Sequence, residues 1–305
     1  SRRFIQAVKE LSSRYQKPVA FLYNTDEEEL AYIKRTIDFP IFTEPEDALA
    51  ALAISRDHYR RLTSSKEKPP LFPIDRSRIS SILKEAIQKR RDLLLPEAME
   101  VIQACGIPVA ESTTVHHKEE LEEALRKIGF PIAMKMVSSE ISHKSDVGGV
   151  ALHIDSLNKA EAAFEKMMAL TPENRWGVFI QKMVFNGKEV IVGAKRDPSF
   201  GPVLLFGLGG IYVEVLQETS LRVAPIHRSE AEEMVSELKG SAILKGVRGE
   251  PPRDLEALTE ILLKVSQLMV EFPEIEGIDI NPVMALEKGA IAVDTRIIVS
   301  RDIRA

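Results

Sequence analysis

The sequence predicts an α/β protein that is divided into two domains. Segments with strand and helix patterns alternate over residues 1–62, as they do in proteins with a parallel sheet. A proline-rich stretch without helical periodicity follows, and it is typical of an extended linker. The chain has 305 residues, which is long enough for two domains. We therefore predict a first domain at 1–62, a linker at 63–78 and a larger second domain at 79–305.

The composition is that of an ordinary globular protein, with 44% hydrophobic and 29% charged residues. A net charge of −5 does not indicate a nucleic-acid-binding protein. No apolar run approaches the ~18 residues of a membrane-spanning helix, so we expect no membrane partner. The single cysteine, Cys105, cannot form an internal disulfide, and its apolar neighbours predict a buried thiol rather than a nucleophile. A reducing, cytoplasmic location is expected.

The first domain reads as helix, strand, helix, strand, helix. Lys17–Tyr23 is predicted to be a short buried strand, and Phe39–Phe42 a second one. Thr25 is expected to cap the helix between them, because acidic residues fill its first turn. Thr43 is expected to cap the last helix, with Pro45 in the first turn. Two strands make a small sheet, so this segment looks like the end of a domain that begins upstream.

The second domain mixes amphipathic helices with apolar strands. The predicted helices are Arg78–Arg91, Leu95–Cys105, Lys118–Ile128, Leu157–Leu170, Ser229–Leu238 and Asp254–Phe272. The predicted strands are Pro131–Lys135, Trp176–Met183, Glu189–Lys195, Val203–Phe206, Leu221–Pro225, Gly277–Ala285 and Ala290–Asp294. Asn186-Gly187 predicts a β-hairpin between the second and third of these strands. Glu287-Lys-Gly289 predicts a turn between the last two.

A lysine and a histidine stand out beside the first of these strands. Lys135 closes the apolar run, and a lysine at a strand end can neutralise phosphate as a point charge. His143 follows in a polar loop that ends in Gly148 and Gly149, where it can act as a nucleophile and form phosphohistidine. The alternative is a solvated strand-loop-strand hairpin with an incidental histidine.

The terminal hairpin carries Asp279-Ile-Asn281-Pro and, on its second strand, Asp294. Paired antiparallel strands can bring Asn281 and Asp294 to one face. One amide oxygen and one or two carboxylates, completed by water and phosphate oxygens, suit Mg²⁺. The alternative is that these residues are solvent-facing polar residues on an edge hairpin.

Two further segments could hold a nucleotide. In Phe206-Gly-Leu-Gly209-Gly210, backbone N–H groups can meet phosphate oxygens, although a tight turn is an equal alternative. Glu214 and Glu218 follow it, as metal ligands or as solvated side chains.

The second segment is the end of the strand Trp176–Met183. Gln181, Met183 and Val184 are suited to an adenine edge if the backbone groups there are free, and Glu189 could accept hydrogen bonds from ribose hydroxyls. The alternative places Met183 in the core and Glu189 on the surface.

Taken together, these pieces resemble one family. Its motifs occur in order as Gly106-Ile-Pro, the Lys135 strand, His143-Lys-Ser-Asp-Val-Gly-Gly-Val, Lys188-Glu-Val-Ile-Val-Gly, Arg196-Asp-Pro-Ser-Phe-Gly-Pro, Phe206-Gly-Leu-Gly-Gly, Gly246-Val-Arg-Gly and Asp279-Ile-Asn-Pro. From about residue 93 to 300 the chain resembles the ATP-grasp domain of the ADP-forming acyl-CoA synthetases, in the succinyl-CoA synthetase superfamily. Residues 1–62 resemble, more weakly, the end of a flavodoxin-like CoA-ligase domain. The resemblance implies an ATP-grasp fold, in which two α+β subdomains clamp a nucleotide.

The resemblance also implies a reaction, acyl-CoA + ADP + phosphate ⇌ carboxylic acid + CoA + ATP. In this family a histidine on a swinging loop carries the phosphoryl group to ADP, and His143 matches it. Lys135 matches a lysine that contacts nucleotide phosphates, and Asn281 and Asp294 match the Mg²⁺ ligands. The positions that match the nucleotide site are Gln181, Met183, Val184, Glu189, Gly209, Gly210 and Glu214.

The CoA-binding domain and the domain with the first phosphohistidine of the family have no counterpart in this sequence. We therefore expect these domains as partners, either upstream in the same polypeptide or on a separate subunit. Two functions remain open at this point. The first is the nucleotide half of an ADP-forming acyl-CoA synthetase, and the second is a nucleotide-sensing regulatory module of a larger protein such as an acyltransferase. Retention of His143, Lys135 and Asp294 favours the enzyme.

Overall fold

The computed structural model describes residues 2–64, 68–138, 148–170, 177–210, 218–247 and 249–300. The chain forms two compact units, residues 1–68 and 69–305. None of the helices in these ranges is long and apolar enough to cross a membrane.

The first unit contains a small parallel sheet among three helices in its described residues. Its elements are α1 (Arg2–Tyr15), β1 (Phe21–Leu22), α2 (Glu27–Thr36), β2 (Ile41–Phe42) and α3 (Pro45–Ser64). Phe21 pairs with Ile41 in the predicted parallel direction. The helix cap is Asp26 rather than Thr25, because the Asp26 carboxylate accepts a 2.8 Å hydrogen bond from the backbone N–H of Glu29.

The second unit contains the following described elements. The helices are α4 (Arg76–Gln88), α5 (Leu95–Ala104), α6 (Leu121–Ile128), α7 (Leu157–Leu170), α8 (Arg228–Ser236) and α9 (Leu255–Glu271), with 3₁₀ turns at Lys118–Glu120 and Lys239–Ile243. The strands are β3 (Ser112–Val115), β4 (Ile132–Met136), β5 (Val150–Ile154), β6 (Val178–Lys182), β7 (Lys188–Asp197), β8 (Gly201–Leu208), β9 (Thr219–Val223), β10 (Ile275–Ala285), β11 (Ala290–Ala292) and β12 (Thr295–Val299).

The segment predicted as a linker is only partly extended. Helix α4 begins at Arg76, inside the predicted range of 63–78. Ahead of it, the backbone N–H of Phe72 donates to Oε1 of Gln267 at 2.8 Å, and Nε2 of Gln267 donates back to the Phe72 carbonyl at 3.1 Å. This pair of hydrogen bonds holds the segment against α9.

The strands of the second unit form two sheets. The four-stranded sheet has the order β3-β6-β4-β5 and is antiparallel. Helices α6 and α7 cover one of its faces, where Met134, Ile180 and Phe164 are buried in one cluster. The six-stranded sheet has the order β11-β10-β7-β8-β9, with β12 also paired to β10. Helix α9 packs on one face of it and buries an apolar stripe that includes Leu262 and Leu268.

The hairpin predicted at Asn186-Gly187 is wrong, because β6 and β7 lie in different sheets. Ile180 of β6 packs into the core under α6 and α7, whereas Val190 and Val192 of β7 pack into the core under α9. The five residues from Met183 to Gly187 therefore connect the two sheets. The hairpin predicted at the end of the chain is confirmed, since Val283 of β10 pairs with Ala292 of β11.

Candidate functional site

Lys135 lies on the interior strand β4 of the four-stranded sheet, which explains its burial. Met134 and Met136 point into the core under the helices, so alternation along the strand directs Lys135 to the opposite face. Its side chain is only 6% exposed. A buried lysine needs an anionic or carbonyl partner.

The partners of Lys135 come from the six-stranded sheet. Its Nζ donates to the carbonyl oxygen of Val293 at 2.9 Å and to Oδ2 of Asp294 at 2.8 Å. The Asp294 side chain remains 39% exposed, so it is accessible to a ligand. The ion pair brings together the candidate phosphate contact and the candidate metal ligand across the two sheets.

Asn281 and Asp294 are adjacent, as the sequence predicts. The register of β10 shifts between Ile280 and Val283, and the partner chain breaks between β11 and β12 at the same level. Across this break, Asn281 N–H donates to the Asp294 carbonyl at 3.1 Å. Neither residue is part of the regular strand pairing at this irregularity. Such breaks in pairing often redirect side chains at functional sites.

Asp279 is a second acidic residue of this site, and the sequence reasoning did not single it out as a ligand. It precedes Asn281 with one residue between them on β10, so the strand alternation is the signal that would have found it. Desolvation by the surrounding protein, and then the negative charge of Asp294, raise the pKa of Asp279, whereas Arg296 opposes the shift. A cation would relieve this repulsion.

The donor set fits Mg²⁺. Among the described residues, no group of three or more His, Cys, Asp or Glu side chains forms a metal site. The donors here are instead two carboxylates, Asp279 and Asp294, and the amide oxygen of Asn281. Mg²⁺ favours such hard oxygen ligands and usually shares them with nucleotide phosphates and water.

Gln181 is fully buried on β6, and neither Oε1 nor Nε2 has a hydrogen-bond partner in the described part of the chain. The register pairs Ala133 with Gln181 and Lys135 with Phe179, so Gln181 and Lys135 lie on the same face of the sheet. An unpaired buried amide costs about 1–3 kcal/mol. A ligand with a donor and an acceptor would recover that loss.

The backbone beyond Gln181 is less free than the sequence reasoning supposes. The N–H of Met183 donates to the Pro131 carbonyl at 3.2 Å, and the N–H of Lys182 donates to the Glu111 carbonyl at 2.8 Å. Met183 and Val184 are half-buried, so Met183 is not a core residue as the alternative supposed. Their side chains and carbonyls remain candidate contacts.

The glycine-rich segment after β8 lies directly on Glu189. Gly209 N–H donates to the Glu189 carbonyl at 2.7 Å. A Cβ at Gly209 would lie 2.9 Å from the carbonyl carbon of Glu189, and one at Gly210 would lie 2.8 Å from its Oε2. The structure therefore brings these candidate residues together, and only glycine permits the approach.

The other candidates fall elsewhere. Glu218 accepts hydrogen bonds from the backbone and the side chain of Lys239, at 2.9 and 3.1 Å, so it binds a 3₁₀ turn. Cys105 is buried as predicted, and burial raises the pKa of its thiol to about 12. His143 and Glu214 lie outside the described residues. The strand pairing that the alternative of a strand-loop-strand hairpin requires is present, since Lys135 of β4 pairs with Val150 of β5. This pairing does not test the role of His143.

The chain is similar to a known family and to curated proteins. Residues 85–299 match the family model of the ATP-grasp domain. The beta subunit of ADP-forming acetate–CoA ligase I from Pyrococcus furiosus is 47% identical over 223 residues, which cover 72% of this chain and 96% of that subunit. ADP-forming acetate–CoA ligase I from Archaeoglobus fulgidus is 37% identical over 288 residues, or 93% of this chain. The chain spans 42% of the length of that longer relative.

Solved structures of one archaeal enzyme are similar as well. A chain of acetyl-coenzyme A synthetase 1 from Candidatus Korarchaeum cryptofilum, in complex with coenzyme A and Ca-AMPCP, is 38% identical with a TM-score of 0.69. The match covers 72% of this chain and 99% of that one. In its complex with coenzyme A and Mg-AMPPCP, a phosphohistidine segment points towards the nucleotide-binding site, and the TM-score is 0.65 at 38% identity, covering 73% of this chain and 100% of that one. The sequence, the fold and these similarities together show that this chain belongs to the ATP-grasp family, as the domain found in ADP-forming acid–CoA ligases.

Proposed function

We propose that this chain is the nucleotide-binding part of an ADP-forming acid–CoA ligase and transfers a phosphoryl group between His143 and ADP. The observation that supports this most is the contact of Lys135 with Asp294, at 2.8 Å between Nζ and Oδ2. It puts a desolvated cation beside carboxylates at the junction of two sheets, which is where the phosphates of a clamped nucleotide would lie.

Each of the remaining candidate residues would contact a different part of the nucleotide. Gln181, with Met183 and Val184, would contact the adenine edge, and Glu189 would bind the ribose hydroxyls. Gly209 and Gly210 contact Glu189, so their backbone would lie beside the ribose and the phosphates. Glu214 is proposed for the same region on sequence grounds.

Asn281 and Asp294, together with Asp279, would hold Mg²⁺. The bound ion would supply positive charge to the phosphate oxygens. Lys135 supplies a second positive charge from the protein itself, and its burial strengthens its effect because no water screens it.

The transfer itself is a simple exchange of bonds. In the direction of ATP synthesis, the bond between phosphorus and the imidazole nitrogen of His143 breaks, and a bond forms between phosphorus and a terminal oxygen of ADP. The electron pair returns to the imidazole nitrogen, which takes a proton from water or keeps a free lone pair according to pH. Catalysis then depends on alignment and charge stabilisation rather than on further covalent chemistry.

The partner of this chain would be the CoA-binding and CoA-ligase part of the enzyme. Two observations support this: the similar Pyrococcus protein is named as a beta subunit, and the Archaeoglobus relative is much longer than this chain. We propose that residues 1–62 are the end of a CoA-ligase domain. The chain alone would then bind nucleotide and exchange phosphate with it without completing acyl transfer. A cytoplasmic location stays a prediction.

The test is transfer of label from ATP that carries radioactive γ-phosphate, with Mg²⁺. The wild-type chain should gain acid-labile label, and His143→Ala should lose it while it binds Mg-ATP with unchanged affinity. His153→Asn and His227→Gln are the controls and should label normally; asparagine suits position 153 because φ there is +57°.

Two results would contradict this function. Binding of ATP by the wild type with no label on any residue would instead favour a nucleotide-sensing module. Label that persists in His143→Ala at the wild-type rate would assign the phosphoryl carrier to another residue.

A further inference from the structure

The segment that connects the two sheets is held at both of its ends. At the first end, the N–H of Met183 bonds to the Pro131 carbonyl, next to β4 of the four-stranded sheet. At the second end, the carbonyl of Asn186 accepts a 3.0 Å hydrogen bond from an Nη of Arg253. Arg253 lies just ahead of α9, which packs on the six-stranded sheet. Residues 183–187 thus form a connector that is tied to a different sheet at each end.

Two ion pairs that share Glu250 support the contact of Arg253 with Asn186. Nζ of Lys188, the first residue of β7, lies 2.7 Å from Oε2 of Glu250, and Arg253 lies 3.5 Å from the same oxygen. The Arg253 side chain is only 7% exposed, and its Nε has no hydrogen-bond partner among the described residues. We call Lys188, Glu250 and Arg253 the connector bracket.

The loop that carries Glu250 and Arg253 is shaped by a glycine of the Gly246-Val-Arg-Gly motif. Gly246 has φ +88°, and a Cβ there would lie 2.4 Å from the Glu250 carbonyl oxygen. Beyond this turn, Arg253 N–H bonds to the Leu244 carbonyl at 2.8 Å. Asp254 then caps α9 through Ala257 N–H at 3.0 Å. These contacts fix the backbone of Arg253 and so position its guanidinium group against the connector.

The connector also lies close to the strand that carries the candidate metal ligands. A Cβ at Gly187 would lie 3.0 Å from Cβ of Met284 and 3.2 Å from Cδ2 of Leu286. Met284 belongs to β10, the strand of Asp279 and Asn281. Glu189 is held to this strand by the pairing of β7 with β10. Displacement of the connector would therefore change how Met183 stands relative to Glu189 and Asn281.

We infer that the connector bracket is a positioning device for the nucleotide, and that Arg253 is its central residue. This inference rests on the proposed nucleotide site. By holding Asn186, the bracket fixes the end of the connector on the six-stranded sheet and leaves movement to Val184 and Phe185. Because the connector is held before the ligand arrives, less conformational freedom is lost on binding. Arg253 acts through the connector and does not itself touch the nucleotide in this account.

The experiment compares two arginines in the full chain. Arg253→Met removes the bracket. Arg196→Met removes a matched arginine whose hydrogen bonds in the described ranges go to main-chain carbonyls: Met269 at 2.8 Å, Ile275 at 3.3 Å and Phe272 at 3.4 Å. Titration calorimetry measures the Kd for Mg-ADP, and hydrogen exchange measures the protection of amides 183–187. Arg253→Met should raise Kd about tenfold, the size of one charged hydrogen bond, and should speed exchange in the connector.

Arg196→Met should leave both the Kd and the exchange rate close to those of the wild type, even if its melting temperature falls as much as that of Arg253→Met. Arg253→Lys retains the charge and one donor, so it should restore Kd to within about threefold of wild type. Equal losses of affinity in the two methionine variants, or fast connector exchange with an unchanged Kd, would overturn the inference. Failure of the wild-type chain to bind Mg-ADP would instead contradict the proposed function, and connector exchange would still decide whether Arg253 holds the connector.

Discussion

The backbone N–H of Asn281 on β10 donates at 3.1 Å to the carbonyl oxygen of Asp294, which lies in the break between β11 and β12. This bond sits where the regular pairing of β10 shifts, and it keeps the two side chains together at the irregularity. Because Asp294 also binds Lys135, one backbone contact links the candidate metal ligands to the candidate phosphate contact. The predictions that follow test the members of this arrangement.

Asp294→Asn should weaken Mg²⁺-dependent binding of ADP about tenfold or more. Even residues that only hydrogen-bond to metal ligands lower metal affinity by about 10–100-fold when they are replaced. The control is Asp155→Asn, which removes a surface Asp–Lys pair of the same length, 2.8 Å to Lys159. ADP titrations with and without Mg²⁺ measure the effect. If Mg²⁺ fails to improve ADP binding even in the wild type, the metal site is wrong.

Lys135→Ala should weaken ATP far more than adenosine, because only ATP presents negative charge to the ammonium group. Lys264→Ala is a matched control: its side chain is 13% exposed, and its Nζ donates to the Gly106 carbonyl at 2.8 Å. Both variants should lose stability, but only Lys135→Ala should lose the preference for ATP over adenosine. Equal loss of both ligands in Lys135→Ala would indicate a general folding defect.

Labelling of His143 from ATP should decline as pH falls below about 6.5, where an ordinary histidine becomes protonated. The neutral imidazole has the lone pair that attacks phosphorus, and the imidazolium has none. The rate of labelling at saturating Mg-ATP measures the effect, with nucleotide affinity determined at each pH as the control. A labelling rate that rises towards acid pH would exclude a neutral nitrogen nucleophile.

Gly209→Ala should destabilise the chain by about 1–3 kcal/mol and weaken nucleotide binding, because its Cβ would contact the Glu189 backbone at 2.9 Å. Gly193→Ala, on the neighbouring strand, makes the same change with its nearest atom at 3.4 Å and should cost less. Urea unfolding and ADP titration measure the two effects. The same small loss in both variants would show that the contact with Glu189 is easily relieved.

Cys105 should not react with a thiol reagent at pH 8 in the folded chain and should react fully once unfolded. Burial raises the pKa of its thiol from 9.0 to about 12 in the folded state. The folded state therefore keeps a proton that the unfolded state releases, so this contribution to stability is complete below pH 9 and is lost as pH rises towards 12. Cys105→Ala should lose less stability over that range than the wild type. A fast-reacting native thiol would mean that the site opens.

Local patterns predicted most helices of the second unit closely. Helix α7 runs from Leu157 to Leu170 as predicted, and α5 ends beside Gly106, where a positive φ of +77° suits only glycine well. Three strands, β3, β5 and β12, were absent from the predicted elements. Each has five residues or fewer, but so do β4, β6, β9 and β11, which were predicted, so length alone does not explain why these three were missed.

The candidate site was predictable in its residue types and less so in its contacts. A strand-end lysine and a polar pair on a hairpin drew attention to Lys135, Asn281 and Asp294 but left a structural alternative open for each, and the resemblance to the family then selected these residues. Asp279 was quoted in the motif but not recognised as a participant. The prediction that the backbone N–H of Met183 is free is wrong, because it donates to the Pro131 carbonyl. Pro131 lies far from Met183 in the sequence, so local patterns could not reveal this bond.

The sequence by itself determined the fold class and the family and supplied the candidate residues for a nucleotide site, because periodicity and ordered motifs are local properties of the chain. Only the tertiary structure decided which strands share a sheet. Asn186-Gly187 has the signature of a hairpin, yet the two strands beside it bury their apolar faces in different cores, and that burial outweighs the turn preference. The contact of Lys135 with Asp294 follows from this separation, because the two residues lie far apart in sequence and meet only when the two sheets pack. The contact of Arg253 with Asn186 likewise joins distant parts of the chain, and it forms where the segment ahead of α9 meets the end of the connector.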